Sequence, residues 1–162
     1  MDEIKNKNLL QLIFSLIESR YIRVPEINDL AKALNELDVR PELWLIELSA
    51  CETTDEAQDI LLERISEHHV VFDERYVSLL LGFLYLGVQE GKITLSEFEA
   101  DLVDVIDAYS DCINMTIEDF HRDFFSLNSL PDQNTVLGSY LIDSAEKSKT
   151  AFCTEITPLL DA

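Results

Sequence analysis

The sequence predicts an all-α fold: one helical domain, residues 1–162, with about seven or eight helices around a central apolar helix. Three observations point there. Apolar residues recur at three- and four-residue steps along most of the chain, the spacing that gathers them on one side of a helix. Helix-start devices stand ahead of these stretches: a Thr or Asp cap, an acid three residues after a Thr, or a Pro in the first turn. No segment keeps the two-residue period of a strand for more than a few positions.

In chain order, Leu9, Leu10, Ile13, Phe14, Leu16 and Ile17 give a first helix within residues 4–21, its apolar run interrupted by Gln11 and Ser15. Pro25 opens a second, which carries Ile27, Leu30, Ala31, Leu34 and Leu37. Pro41 repeats the device before "ELWLIELSACE", where Trp44, beside Leu43, Leu45 and Ile46, reads as core, an interface anchor being the alternative. Thr53 and Glu56 make a capping box for "DEAQDILLERISEHH", whose two histidines stand at the negative end of the helix dipole.

Asp73 caps a helix running to about Glu90; its centre, "VSLLLGFLYLGV", is apolar on every side and must be surrounded, which makes it the central helix. Gly91 supplies a left-handed stop, and Thr94 with Glu97 forms a second capping box. Thr116 with Asp119 starts "IEDFHRDFFSL", "NSLPDQN" is a loop, and "TVLGSYLIDSAEKSKTAFCTEI" is a last helix closed by Pro158.

The outlying quantity is charge. Against 12 Lys and Arg stand 32 Asp and Glu, a formal net charge of −20, in a chain that is nevertheless 47% hydrophobic. The apolar share and scarcity of Gly and Pro mark a folded protein, not a disordered acidic tail. The excess repels nucleic acid and anionic bilayers and attracts cationic surfaces, so neither direct nucleic-acid nor membrane binding is expected. Three cysteines at unrelated spacings, Cys51, Cys112 and Cys153, suit reduced thiols in a cytosol better than a disulfide framework. The N-terminal segment reads as a mature helix, because acids precede its first lysine and no small-residue cleavage site follows. A cytoplasmic location is the expectation.

Metal and catalytic motifs fare poorly. "EGKITLSEF" echoes a calcium loop, with Gly91 at its sixth position and Glu97 at its twelfth. Its first and third positions, however, are Leu86 and Val88, which cannot ligate. Glu118 and His121 form a single Glu-x-x-His, where di-iron bundles need two with further glutamates. The acids around Cys112 disfavour a thiolate. With no phosphate loop and no nucleophile elbow, a binding protein that needs no cofactor or metal is expected, not an enzyme.

The charge is patterned as well as abundant. Glu97, Asp101, Asp104, Asp107 and Asp111 recur at steps of four, three, three and four residues, a ladder along one side of a helix opposite Phe98, Leu102, Val105, Ile106 and Tyr109. It covers roughly 21 Å at about 1.5 Å per residue. No base occurs from Ile93 to His121, a span holding eight acids, and a second base-free span, Pro41 to Glu63, holds seven. Like charges at such spacing cost a few tenths of a kcal/mol per pair. A solvated face explains such a run without any partner; a surface kept for a cationic partner explains it through faster and more selective encounter.

In size, helical architecture, absence of catalytic motifs and acid-only helical faces such as "SEFEADLVDVIDAYSD", the chain resembles the small acidic immunity proteins that bacteria make against secreted toxins, of the contact-dependent inhibition and bacteriocin type. That resemblance implies a protein that neutralises a basic toxin domain, such as a nuclease, by covering its active site or a neighbouring surface. The ladder residues would carry the contact. Two alternatives share the same acids: a nucleic-acid mimic occupying the DNA or RNA site of a host protein, and a structural or adaptor module with no charged interface.

Overall fold

The computed structural model describes residues 3–37, 42–113, 115–124 and 130–161. The chain is all-α. Among the described residues there is no strand, and eight α-helices run to eight residues or more. They are α1 Glu3–Glu18, α2 Val24–Leu37, α3 Leu43–Ala50, α4 Thr54–Glu67, α5 Glu74–Gln89, α6 Leu95–Ala108, α7 Ile117–Phe124 and α8 Val136–Ala151; a terminal turn, α9, spans Thr157–Leu160. The expected roles of Pro41 and of residues 125–129 lie outside the described residues.

Contacts group the chain into two compact units, Met1–Glu18 with Ile22–Val71 and Ala151–Ala162, and Ser19–Tyr21 with Phe72–Thr150. Each contains a helix buried on all sides. In the second unit this is α5, buried without interruption from Leu79 to Gly87, as its composition predicts. In the first it is α1, every residue of which is buried from Leu10 to Ile17. The sequence concealed this second case behind Gln11 and Ser15. Both are buried yet satisfied: the Gln11 amide donates to the Val71 carbonyl at 2.7 Å and the Ser15 hydroxyl to the Leu12 carbonyl at 2.7 Å.

Within the first unit, α1 packs on α4, and α2 on α3 and α9. The Asn28 side chain joins α2 to α3 by donating to the Leu48 and Cys51 carbonyls, at 3.0 and 3.1 Å, which otherwise end α3 unpaired. Thr53 caps α4 by accepting from the Glu56 N–H, but Glu56 reaches back to the Glu52 N–H at 2.8 Å, so the expected reciprocal box is shifted by one residue. At the other end His69 adopts a left-handed φ of 52°, with Val70 N–H bonding to Ile65 O and His69 N–H to Ser66 O. That is the helix stop Gly91 makes after α5. Pro158 does not close the last helix. It lies in the first turn of α9, directly after a π-helical stretch, Phe152–Ile156.

In the second unit α5 and α8 cross closely. The Ser148 hydroxyl donates to the Leu79 carbonyl at 3.1 Å, the Ser78 and Ser144 hydroxyls are 3.0 Å apart, and a methyl group on Gly82 would lie 2.3 Å from the Ser144 carbonyl oxygen. Only glycine fits there. α6 packs on α5, burying Phe98, Leu102, Val105 and Ile106 and leaving its opposite side to the acids. Asp123, on α7, accepts from the Leu137 N–H at 3.0 Å, so a side chain of α7 satisfies the start of α8.

Candidate functional site

Local chemistry sets the start of α6 as expected. Gly91, at φ 73°, ends α5, and the capping box is complete: the Thr94 hydroxyl accepts from the Glu97 N–H at 3.1 Å, and the Glu97 carboxylate from the Thr94 N–H at 2.7 Å. Glu97 is therefore a structural acid as much as a surface one. The Thr94 N–H it accepts holds its carboxyl below the usual carboxylate range, and partial desolvation opposes this, while the Thr94 hydroxyl and nearby Arg20 add to it.

Arg20 changes the ladder. It stands in the turn after α1 at a left-handed φ of 60°, and its guanidinium pairs with Asp101 and lies 3.7 Å from Glu97. The neighbouring Tyr21 is anchored by Lys92, whose ammonium donates to the Tyr21 carbonyl at 3.0 Å and sits 3.7 Å from the ring centroid. The first two rungs thus meet a cation that the local sequence lacks.

The far end differs too. α6 ends at Ala108, and Asp111 belongs to a 3₁₀ turn, Ser110–Cys112, so the expected five-rung ladder on one helix becomes four rungs plus one residue beyond it. Tyr109, at the break, has φ −127° and ψ 30° and packs edge-on to Tyr76, ring centroids 5.9 Å apart. Asp104, Asp107 and Asp111 are exposed, and among the described residues no cation lies within ion-pair distance of them.

What survives of the ladder is its C-terminal half: two carboxylates one helical turn apart and a third just past the helix. Such a surface attracts cations from beyond contact distance and offers acceptors for Lys or Arg at contact. Arg20 is the residue that sequence reasoning missed. Its only signal was one of two bases, with Arg23, in a short inter-helix turn, and its partner Asp101 lies 81 residues away.

The other chemistry-bearing residues are dispersed. Cys51 is buried, and burial pushes its thiol up against the pull of Asn28. The half-buried Cys112 directs its thiol to the Phe72 carbonyl at 3.7 Å, while Cys153 is exposed. His121 lies against the Phe120 ring. Among the described residues, no three His, Cys, Asp or Glu side chains are grouped to hold a metal, and no helix is long and apolar enough to cross a membrane. No family model, curated protein or solved structure matches this chain.

Proposed function

We propose that the chain is an acidic binding protein, of the immunity or inhibitor type, that neutralises a basic protein partner such as a toxin nuclease domain in the cytoplasm. The single observation behind this reading is the uncompensated trio Asp104, Asp107 and Asp111, exposed in a molecule of net charge −20. An exposed helix with no partner commonly interleaves Lys or Arg and gains from it; this one forgoes that gain over the half of its face that Arg20 does not reach. The favoured mechanism is charge-steered encounter followed by contact of basic side chains with the trio.

The test is capture from lysate on immobilised wild-type protein and on an Asp104→Lys, Asp107→Lys variant, with mass-spectrometric identification. A basic protein retained by the wild type and lost by the variant supports the reading. A bound host DNA- or RNA-binding protein that nucleic acid displaces would identify a mimic instead. Retention of the same partners by both proteins removes the α6 face as the interface.

A further inference from the structure

We infer that the outward side of α3, with the groove beside it, is a docking surface for an amphipathic cationic helix of a protein partner; the inference rests on the reading above only for the sign of the partner's charge. The helix "LWLIELSA" is apolar nearly all round, and a helix of that composition is normally covered on every side. Here only one side is covered. Leu45 and Leu48 are buried, whereas Leu43 is 69% and Ile46 47% exposed, and Ala50 is exposed as well. Positions 43, 46 and 50 follow i, i+3, i+7, so they form one stripe roughly 10 Å long that nothing among the described residues covers.

Beside the stripe, α3 and α4 enclose a groove of about 330 Å³, with Leu43, Trp44 and Ile60 as its apolar lining. Among the described residues four carboxylates border it, Glu42, Glu47, Glu63 and Glu67, against one base, Arg64. That base is already engaged. Its guanidinium bonds to Glu42 at 2.5 Å and Glu67 at 3.4 Å and lies 5.5 Å from the Trp44 ring centroid, while Trp44 donates to Glu42 at 2.7 Å. Glu47 and Glu63 are left exposed, without a cation in ion-pair reach among the described residues.

An apolar stripe beside such a rim complements a helix with large aliphatic residues on one face and Lys or Arg on the flanks, packed by ridges into grooves. A second copy of the chain is disfavoured, since it would set −20 against −20 and bring this rim against its own image. An anionic bilayer is disfavoured for the same reason.

Trp44 is the only tryptophan in the chain and lines the groove, so its fluorescence reports occupancy. The experiment titrates full-length protein with an 18-residue amphipathic Leu/Lys peptide and with an isomer of the same composition in which the helical periodicity is scrambled. The amphipathic peptide should shift Trp44 emission and bind about tenfold or more tightly than the scrambled one, about 1.4 kcal/mol or more. A Leu43→Glu, Ile46→Glu variant, both positions being exposed and tolerant, should lose that difference, and the Asp104→Lys, Asp107→Lys variant should keep it. Equal binding of the two peptides, or an unchanged Leu43→Glu, Ile46→Glu variant, overturns the α3 surface alone. Binding of neither overturns it together with the cationic-partner reading. Sedimentation showing self-association that Leu43→Glu abolishes overturns it in favour of a second copy.

Discussion

α6 and the α3–α4 pair are both acid-rich and each includes a long stretch without bases, yet their acids do different things. In each region an acid three residues after the N-cap serves the backbone: Glu97 satisfies the Thr94 N–H, Glu56 that of Glu52. In each, one arginine from outside the base-free span binds two carboxylates: Arg20 holds Glu97 and Asp101, Arg64 holds Glu42 and Glu67. The remainder differs. On α6 it is a charged strip on a helix whose apolar side is fully buried; on α3 and α4 it is Asp55 and Asp59 together with Glu47 and Glu63, the last two beside apolar residues left uncovered. On the proposed reading it is not net charge but the charge left over after caps and internal pairs are subtracted that locates the interaction surface, and the apolar area beside it sets the kind of partner that fits.

The largest expected effect bears on whether the two regions fold as one. Gly82→Ala places a methyl group against the backbone of α8 and should cost about 3 kcal/mol, the upper part of the overpacking range. Hydrogen exchange should then lose most protection within Phe72–Thr150, where α6 lies, and least within Ile22–Val71. Uniform loss would join the two regions into one cooperative body.

Next come the two sides of α3. Leu48→Ala, at a fully buried site, should lower stability by about 3 kcal/mol, and Leu43→Ala by under about 0.5 kcal/mol, measured by urea denaturation. Similar costs at both would mean that the stripe is already covered.

The two arginines should also separate. Arg64, with a side chain only 18% exposed and stacked on Trp44, should cost about 1 to 2 kcal/mol when changed to Gln, since packing and partly buried bonds are lost together. Arg20, 44% exposed, should cost under about 1 kcal/mol. Equal costs in the same denaturation assay would erase the distinction between a built-in clamp and a surface neutraliser.

The smallest effect is acid sensitivity at Glu97. Its carboxyl is lowered in the folded state, so its contribution is present above the unfolded value of about 4.3 and is lost as pH falls through the folded one. Glu97→Gln should flatten the fall in stability below about pH 4.5 in denaturation series. A fall as steep as the wild type's would assign acid sensitivity to other carboxylates.

The helices were largely legible because their signals are local. Asp73, Thr94, Gly91 and the 3.6-residue periodicity of α5 and α6 each act within one or two turns, and each does what its position implies. Illegible features depended on distant partners. Gln11 looked like an interruption because its acceptor, Val71, is 60 residues away, and the five-residue ladder looked uncompensated because Arg20 lies on another turn. Trp44 and its neighbours read as core because composition alone cannot say which side of an apolar helix is covered; Trp44 is half-buried, and Leu43 and Ile46 face outward. The break at Tyr109 has no marker in the sequence, since the apolar and acidic spacings run on through it.

The central claim, that leftover charge and not total charge recruits the partner, is tested most directly by stopped-flow association with the captured basic protein at low salt. Asp104→Asn with Asp107→Asn and Glu97→Gln with Asp101→Asn change the net charge by the same two units, so any difference between them is local. The account predicts about a tenfold slower association for the first pair and less than about twofold for the second. Equal slowing by both pairs, or greater slowing by the second, would contradict it.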